Sequence, residues 1–260
     1  MKCQEMLGNW IFLPSEKMIG VIHFLGGAFV ATAPQISYRS MLEEICEAGF
    51  LIVATPFINT FNHFEIARDV LNRFETVTER LRKSNLLPSG YLPTYNMGHS
   101  MGCKLHLLIS SLYKVERIGN ISISFNNYPA TQAVPFWEQL NIPSSFDIEF
   151  EPSPVETEKI VVENYNISRN LLIKFNNDDL DQTILLDRLL RKRNSNMITV
   201  KRLQGNHLTP LNQKIKWQIG NLYTPVDAIG QWFNQGVSKN LNQLKKELII
   251  WLNPISAFEA

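Results

Sequence analysis

Two rhythms of apolar residues alternate along this chain. Short, nearly continuous apolar runs occupy residues 9–13, 18–25, 50–54, 92–97, 118–125, 171–175 and 197–203. Runs of that length predict strands, and 50–54, apolar almost throughout, fits a strand covered on both faces. The run at 9–13 stops at Pro14 and reads as an edge strand. Between the runs the apolar spacing switches to the helical period. Tyr38, Met41, Leu42 and Ile45 predict a helix over 37–48, with Gly49 placed to end it. Phe64, Ala67, Leu71, Phe74, Thr78 and Leu81 mark one face of a longer helix. Met101, Leu105, Leu108, Ile109 and Leu112 mark another, and Ile184, Leu185, Leu189 and Leu190 a further one. Strands alternating with helices predict the α/β class: a mostly parallel central sheet with helices on both faces.

One stretch breaks the rhythm. Residues 126–169 hold five prolines and several aromatics, and so long an insertion between two strands reads as a lid over a site. A purely structural excursion is the plainer alternative. Within it, Ser153-Pro154-Val155-Glu156 has the form of a capping box with Pro at the first helical position. The last fifty residues predict amphipathic helix, with Ile229, Trp232, Phe233, Leu241, Leu244, Leu248 and Trp251 as apolar positions. The expected organisation is one domain over 1–260, with 126–169 as its lid or cap.

Composition narrows the partners. At 260 residues and 45% hydrophobic, the chain can bury one large core. Lys+Arg 25 against Asp+Glu 24 lacks the basic surplus that nucleic acid binding needs. Cys3, Cys46 and Cys103 are too scattered for a disulfide framework or a metal site, and fit a reducing compartment. No apolar run approaches the roughly 18 residues of a membrane span, and the N-terminus lacks the apolar core of a signal peptide. A soluble, cytoplasmic protein is expected. No G-x-G-x-x-G, P-loop or H-E-x-x-H is present, so no cofactor is expected.

The chemistry concentrates at Gly98-His99-Ser100-Met101-Gly102. This is G-x-S-x-G with an apolar strand before it and an amphipathic helix after it, the context of a nucleophile elbow. A serine nucleophile needs a sharp turn, small neighbours and a helix N-terminus whose amides face the developing oxyanion. An ordinary tight turn with Ser100 capping the helix is the alternative. In elbow enzymes the acid and then the base follow the serine in the chain. Of the five histidines only His207 comes late, in Gln204-Gly205-Asn206-His207-Leu208-Thr209-Pro210 after the last predicted strand. The acid should follow the strand at 171–175, where Asp178, Asp179 and Asp181 crowd one loop. A position about four residues past the strand favours Asp179. Asp178 and Asp181 remain alternatives, Asp181 also as a helix cap. The oxyanion hole takes one donor from Met101 N–H, and a second from Gly27, Ala28 or Phe29 after the early strand. Two further blocks exceed what this chemistry needs. Asn59, Asn62 and His63 could line a pocket, and Tyr38-Arg39 could hold an anion.

Several blocks together resemble a known family: 24–30, Ala33-Pro34-Gln35, Ala54-Thr55-Pro56, 59–63, the elbow itself, Asp181-Gln182-Thr183 and Gly205 to Pro210. With them the chain resembles, over about residues 5–250, an uncharacterised hydrolase-like family of cyanobacteria and plastids, a domain of unknown function with the α/β-hydrolase fold. The resemblance implies that fold and a Ser-Asp-His triad, and no substrate. The expectation is a serine hydrolase of a small apolar ester or thioester. The lid aromatics Tyr128, Phe136, Trp137, Phe146 and Phe150 favour an apolar acyl group. A non-catalytic scaffold that binds a protein partner is the alternative, and an acyltransferase would use the same nucleophile.

Overall fold

A computed structural model describes residues 1–28, 30–130, 149–193, 197–212 and 237–254, and the structural statements that follow concern these residues. Eight strands form one sheet: β1 (Lys2–Met6), β2 (Asn9–Leu13), β3 (Gly20–Leu25), β4 (Phe50–Ala54), β5 (Thr94–His99), β6 (Gly119–Ile123), β7 (Arg169–Phe175) and β8 (Met197–Leu203). Their order across the sheet is β1-β2-β4-β3-β5-β6-β7-β8. The β1–β2 and β2–β4 pairs are antiparallel and every other pair is parallel. The α/β expectation therefore holds, with an antiparallel edge added to a parallel sheet.

That edge corrects the reading of residues 9–13. They pair on both sides, with β1 and with β4, so β1 is the edge strand. The apolar pattern missed β1 because Lys2, Gln4 and Glu5 interrupt it. It is a strand because a two-residue turn at Leu7-Gly8, both at positive φ, folds it back on β2.

Seven helices complete the described chain: α1 (Pro34–Ser37), α2 (Arg39–Glu47), α3 (His63–Lys83), α4 (Met101–Leu112), α5 (Pro154–Asn164), α6 (Thr183–Lys192) and α7 (Val237–Leu252). The helix predicted over 37–48 is thus split at Tyr38, with Gly49 beyond it at φ +96°. On one face of the sheet Met41, Leu42 and Ile45 of α2 and Leu241, Leu244 and Leu248 of α7 pack with Phe24, Ile52, Met97 and Ile121. On the other, α3 and α4 pack through Val70, Leu71, Leu105 and Leu108, and α5 and α6 through Val161, Leu186 and Leu190. Burying an aliphatic side chain of this kind contributes about 1.5–3 kcal/mol, which is why helical period and sheet face agree so closely.

The Ser153 capping box forms as read, with Pro154 opening α5. Of the predicted lid, residues 131–148 lie outside the described residues, as do Phe136, Trp137 and Phe146. Residues 213–236, including Ile229, Trp232 and Phe233, also lie outside them. No described helix is long and apolar enough to cross a membrane.

Candidate active site

The elbow is built by steric necessity. Ser100 sits at φ 55°, ψ −121°, between the last residue of β5 and the first of α4. A non-glycine residue there carries about 1–3 kcal/mol of strain, tolerated when the surroundings over-determine it. They do. Ser100 N–H donates to Ile123 O of β6 at 2.9 Å. A Cβ on Gly98 would lie 2.5 Å from Cys103 N, and one on Gly102 2.2 Å from Leu25 O. Only hydrogen at both positions lets helix, turn and strand meet this closely. The result lifts the Ser100 hydroxyl over the C-terminal end of the parallel strands, with Met101 N–H as the first free amide of α4.

His207 meets the serine. Its Nε2 lies 3.0 Å from Ser100 Oγ, and its Nδ1 lies 3.0 and 3.1 Å from the two carboxylate oxygens of Asp178. The proton positions follow from the partners. A carboxylate only accepts, so Nδ1 carries the hydrogen, and Nε2 is left to accept from the serine O–H. The acid and histidine loops are zipped together by Asn176 N–H to Leu203 O and Asn177 N–H to Gly205 O, both at 3.0 Å. Burial pushes the Asp178 carboxyl up in pKa, but its hydrogen bond and charge interaction with His207, together with the Leu180 N–H, bring it below its ordinary value. It is therefore a carboxylate throughout the neutral range.

Asp178 thus occupies the place for which the sequence favoured Asp179. The reason is the backbone. Residues 176 and 177 form a turn immediately after β7 instead of running on extended, so the inward-facing position comes one residue early. Asp179 is exposed. Asp181, the other alternative, has a fully buried side chain; it pairs with Lys174 at 3.0 Å and accepts from Thr183 N–H and Oγ–H at the start of α6. It lies one residue before Gln182, the N-cap of α6, and its partners are Lys174 and Thr183 instead of His207.

The oxyanion side also needs one correction. Gly27 N–H does not point at the serine; it donates to Tyr38 Oη at 2.7 Å. Gly27 is needed for another reason: a Cβ there would lie 3.3 Å from Ser100 Cβ and 3.2 Å from His99 Nδ1. Ala28 N–H, for which no described residue serves as acceptor, remains alongside Met101 N–H, and Phe29 lies outside the described residues.

Tyr38 and His99 were not foreseen in this role. His99 Nε2–H donates to His207 O at 2.9 Å, so its Nδ1 accepts, at 2.8 Å, from Tyr38 O–H. The chain Gly27 N–H, Tyr38, His99, His207 carbonyl is completely directed, and all of it is buried up to the carbonyl. Burial, aided by the charge of His207, holds His99 at a pKa of about 3, so it stays neutral. Tyr38 therefore holds no anion, and its neighbour Arg39 pairs with Glu43 at 2.7 Å. Of the block at 59–63, Asn62 caps α3 by accepting from Glu65 N–H, and His63 is buried against the Phe150 ring at 4.3 Å. A further contact that sequence reasoning missed is Asn126, whose Nδ2 donates to Ser100 Oγ at 3.0 Å. No motif marks it; only the fold brings the end of β6 to the elbow.

Solved structures share this fold. An acylaminoacyl peptidase from Pyrococcus horikoshii superposes with a TM-score of 0.53 at 18% identity, over 76% of this chain and 35% of the peptidase. This chain therefore spans about a third of that peptidase's length. A carboxyl esterase from Bacillus coagulans superposes with a TM-score of 0.55 at 14% identity, over 95% of this chain and 93% of the esterase. A fluorophosphonate-binding serine hydrolase from Staphylococcus aureus, FphF, gives a TM-score of 0.52 at 13% identity, over 90% of this chain and 91% of the hydrolase. At such identities the likeness is one of fold, the α/β-hydrolase fold. Among curated proteins none matches the sequence. Over residues 2–254 the chain matches the profile of a protein family of unknown function, DUF1350, and it belongs to that family.

Proposed function

We propose that the protein is a serine hydrolase of carboxylic esters or thioesters, with Ser100 as nucleophile, His207 as general base and then acid, and Asp178 as the carboxylate that orients His207. The observation that carries this is the unbroken hydrogen-bond sequence from Ser100 Oγ through His207 to Asp178, at 3.0 Å on each side. In acylation Ser100 Oγ forms a bond to the substrate carbonyl carbon while its proton passes to His207 Nε2. The carbonyl π electrons move to oxygen, and we assign the Met101 and Ala28 N–H groups as the donors that receive the charge. As the carbonyl re-forms, the bond to the alkoxide or thiolate breaks, and that leaving group takes the proton from Nε2. Water then gives its proton to His207 and attacks the acyl-enzyme, releasing the acid and restoring the Ser100 hydroxyl. Asp178 stays ionised throughout and stabilises the imidazolium.

The apolar side chains Ile36, Ile58, Phe61 and Leu180 are exposed, and all lie on segments leaving the strand ends where Ser100 sits. They support an apolar acyl or alcohol group as substrate. Nothing in the triad distinguishes water from an alcohol as the final acceptor, so an acyltransferase would use the same steps. The test is labelling by a fluorophosphonate, in which Ser100 Oγ would displace fluoride from phosphorus, together with turnover of p-nitrophenyl esters. Wild type should label and turn over, and Ser100→Ala should do neither while keeping its melting temperature. A folded wild type that labels no better than Ser100→Ala would favour a non-catalytic scaffold.

A further inference from the structure

We propose that Asn126 is a catalytic residue: its side-chain N–H stabilises the negative charge that Ser100 Oγ carries when its proton has left and again when the acyl group departs. This rests on the serine-hydrolase reading and adds a donor to it that acts on the enzyme's own oxygen instead of on the substrate's.

The argument begins with the hydroxyl's capacity. A serine oxygen has one proton to give and two lone pairs to offer. The proton goes to His207 Nε2 and one lone pair accepts from Asn126 Nδ2, each at 3.0 Å. The second lone pair is left for the carbonyl carbon. Because Oγ already donates to His207, a group in the place of Asn126 must donate, which fixes the orientation of its amide. Two contacts thus hold the hydroxyl rotor in the attacking geometry before substrate arrives.

The donor is itself immobilised. Gln182 clamps both neighbours of Asn126: its backbone N–H donates to Phe125 O at 2.7 Å, and its side-chain oxygen accepts from Asn127 N–H at 2.6 Å. Asn127 is further tied to Pro154 O at 3.0 Å. The chain enters this segment through Ser124, a non-glycine residue at φ 52° whose N–H donates to Ile173 O. Strain of this kind is maintained only where the surroundings over-determine it. A fixed donor needs no reorganisation when charge appears, and that is what makes preorganised dipoles effective in catalysis.

The contact persists through the reaction. After attack Oγ is bonded to Cβ and to the acyl carbon and keeps a lone pair toward Asn126. When deacylation breaks the bond from Oγ to the acyl carbon, Oγ leaves with the electron pair, and the Asn126 N–H faces it until the proton returns from His207.

Replacing the amide separates donation from packing. Asn126→Asp keeps the shape but turns the donor into a negatively charged acceptor, whereas Asn126→Ala removes the group. If donation matters, turnover of p-nitrophenyl butyrate should fall in the order Asn, Ala, Asp. The Ala variant should lose about 10²-fold in kcat, by the scale of a single oxyanion donor, with KM little changed. The rate of fluorophosphonate labelling should fall in the same order. Circular dichroism and thermal melting of both variants establish that the fold is intact. If Asp matches Asn and only Ala is impaired, the role is packing and the proposal is overturned. Wild-type kcat in the Ala variant overturns it as well, while labelling of wild type keeps the hydrolase reading. A wild type that neither labels nor turns over overturns both.

Discussion

Tyr38 Oη lies 2.8 Å from His99 Nδ1, and through this pair three loops that converge on Ser100 are joined below the surface. Gly27 belongs to the loop after β3, His99 immediately precedes Ser100, and the His207 carbonyl belongs to the loop after β8. Tyr38→Phe would leave the Gly27 N–H and His99 Nδ1 buried without partners. Each such group costs about 1–3 kcal/mol, and a kcal/mol shifts the melting point of a protein this size by roughly 2–4 °C. A fall of about 4–24 °C in melting temperature is expected, from those two principles together. In the remaining folded protein kcat should drop more than KM rises, because the loop that carries Ala28 loses its anchor. An unchanged melting temperature would count against the network.

The three aspartates of one loop should separate by phenotype. Asp178→Asn keeps the shape but cannot hold Nδ1–H as a carboxylate does. Loss of kcat on the order of 10⁴ is expected, the scale known for serine proteases, with little change in melting temperature. Asp179→Asn, on an exposed side chain, should match wild type in both. Asp181→Asn removes the charge that pairs with Lys174, but Lys174 keeps access to water and burial raises the Asp181 pKa, so stability should fall by only about 1 kcal/mol. It should leave kcat of the folded fraction near wild type. Kinetics and thermal melts of the three variants distinguish these outcomes directly.

Much of this was legible in the residues. The elbow was readable because G-x-S-x-G encodes a steric demand, and a Cβ on Gly98 or Gly102 would indeed lie 2.5 or 2.2 Å from a backbone atom. His207 was readable because chain order and loop position eliminate the other histidines. The acid was misread by one residue because the reading assumed an extended loop, and whether the chain turns at Asn176-Asn177 depends on hydrogen bonds to β8 and the loop after it. Asn126, Tyr38 and His99 carry no local signature. Their partners lie 26 and 61 positions away in sequence for the Asn126–Ser100 and Tyr38–His99 contacts, so only the assembled sheet reveals them. β1 was missed because an edge strand with polar side chains needs its neighbour to be recognised.

The elbow glycines give a stability prediction. In Gly102→Ala the new methyl would sit 2.2 Å from Leu25 O and 2.8 Å from Gly26 O, both main-chain atoms that cannot swing aside. The helix or the β3 strand end would have to shift. Loss of soluble protein, or destabilisation beyond the roughly 1–3 kcal/mol of ordinary overpacking, is expected. By contrast Gly90→Ala, where a Cβ meets nothing within 4 Å, should melt as wild type does. Equal melting of the two variants would show that the elbow is looser than its contacts imply.

Acid should unfold this protein earlier than its carboxylates alone would dictate. Burial lowers His63, His99 and His106 to a pKa of about 3, and pushes His23 well down too, its shift aided by the charges of His106, Arg117 and Arg73. The sign follows from proton counting. Between about pH 3 and 6.5 the unfolded chain binds protons at these histidines that the folded chain refuses. Stability therefore rises with pH across that window and is lost as pH falls through it. At pH 5 each of the three costs about 2 kcal/mol relative to neutral pH, from 1.36 kcal/mol per pH unit below the ordinary histidine value. Together that is comparable with the whole stability of a typical domain, about 5–15 kcal/mol. Ordinary carboxylates titrate mainly below about pH 5 and Asp178 lower still, while Asp181, raised by burial, acts with the opposite sign, so a loss of stability from pH 7 to 5 reports the histidines. The urea midpoint should fall steeply over that window. Replacing His106 by Gln, which keeps a donor for Met97 O but cannot titrate, should flatten the slope by one proton's share. A midpoint that stays constant from pH 7 to 5 would mean that these rings accept protons in place, and that the core around them is open to water.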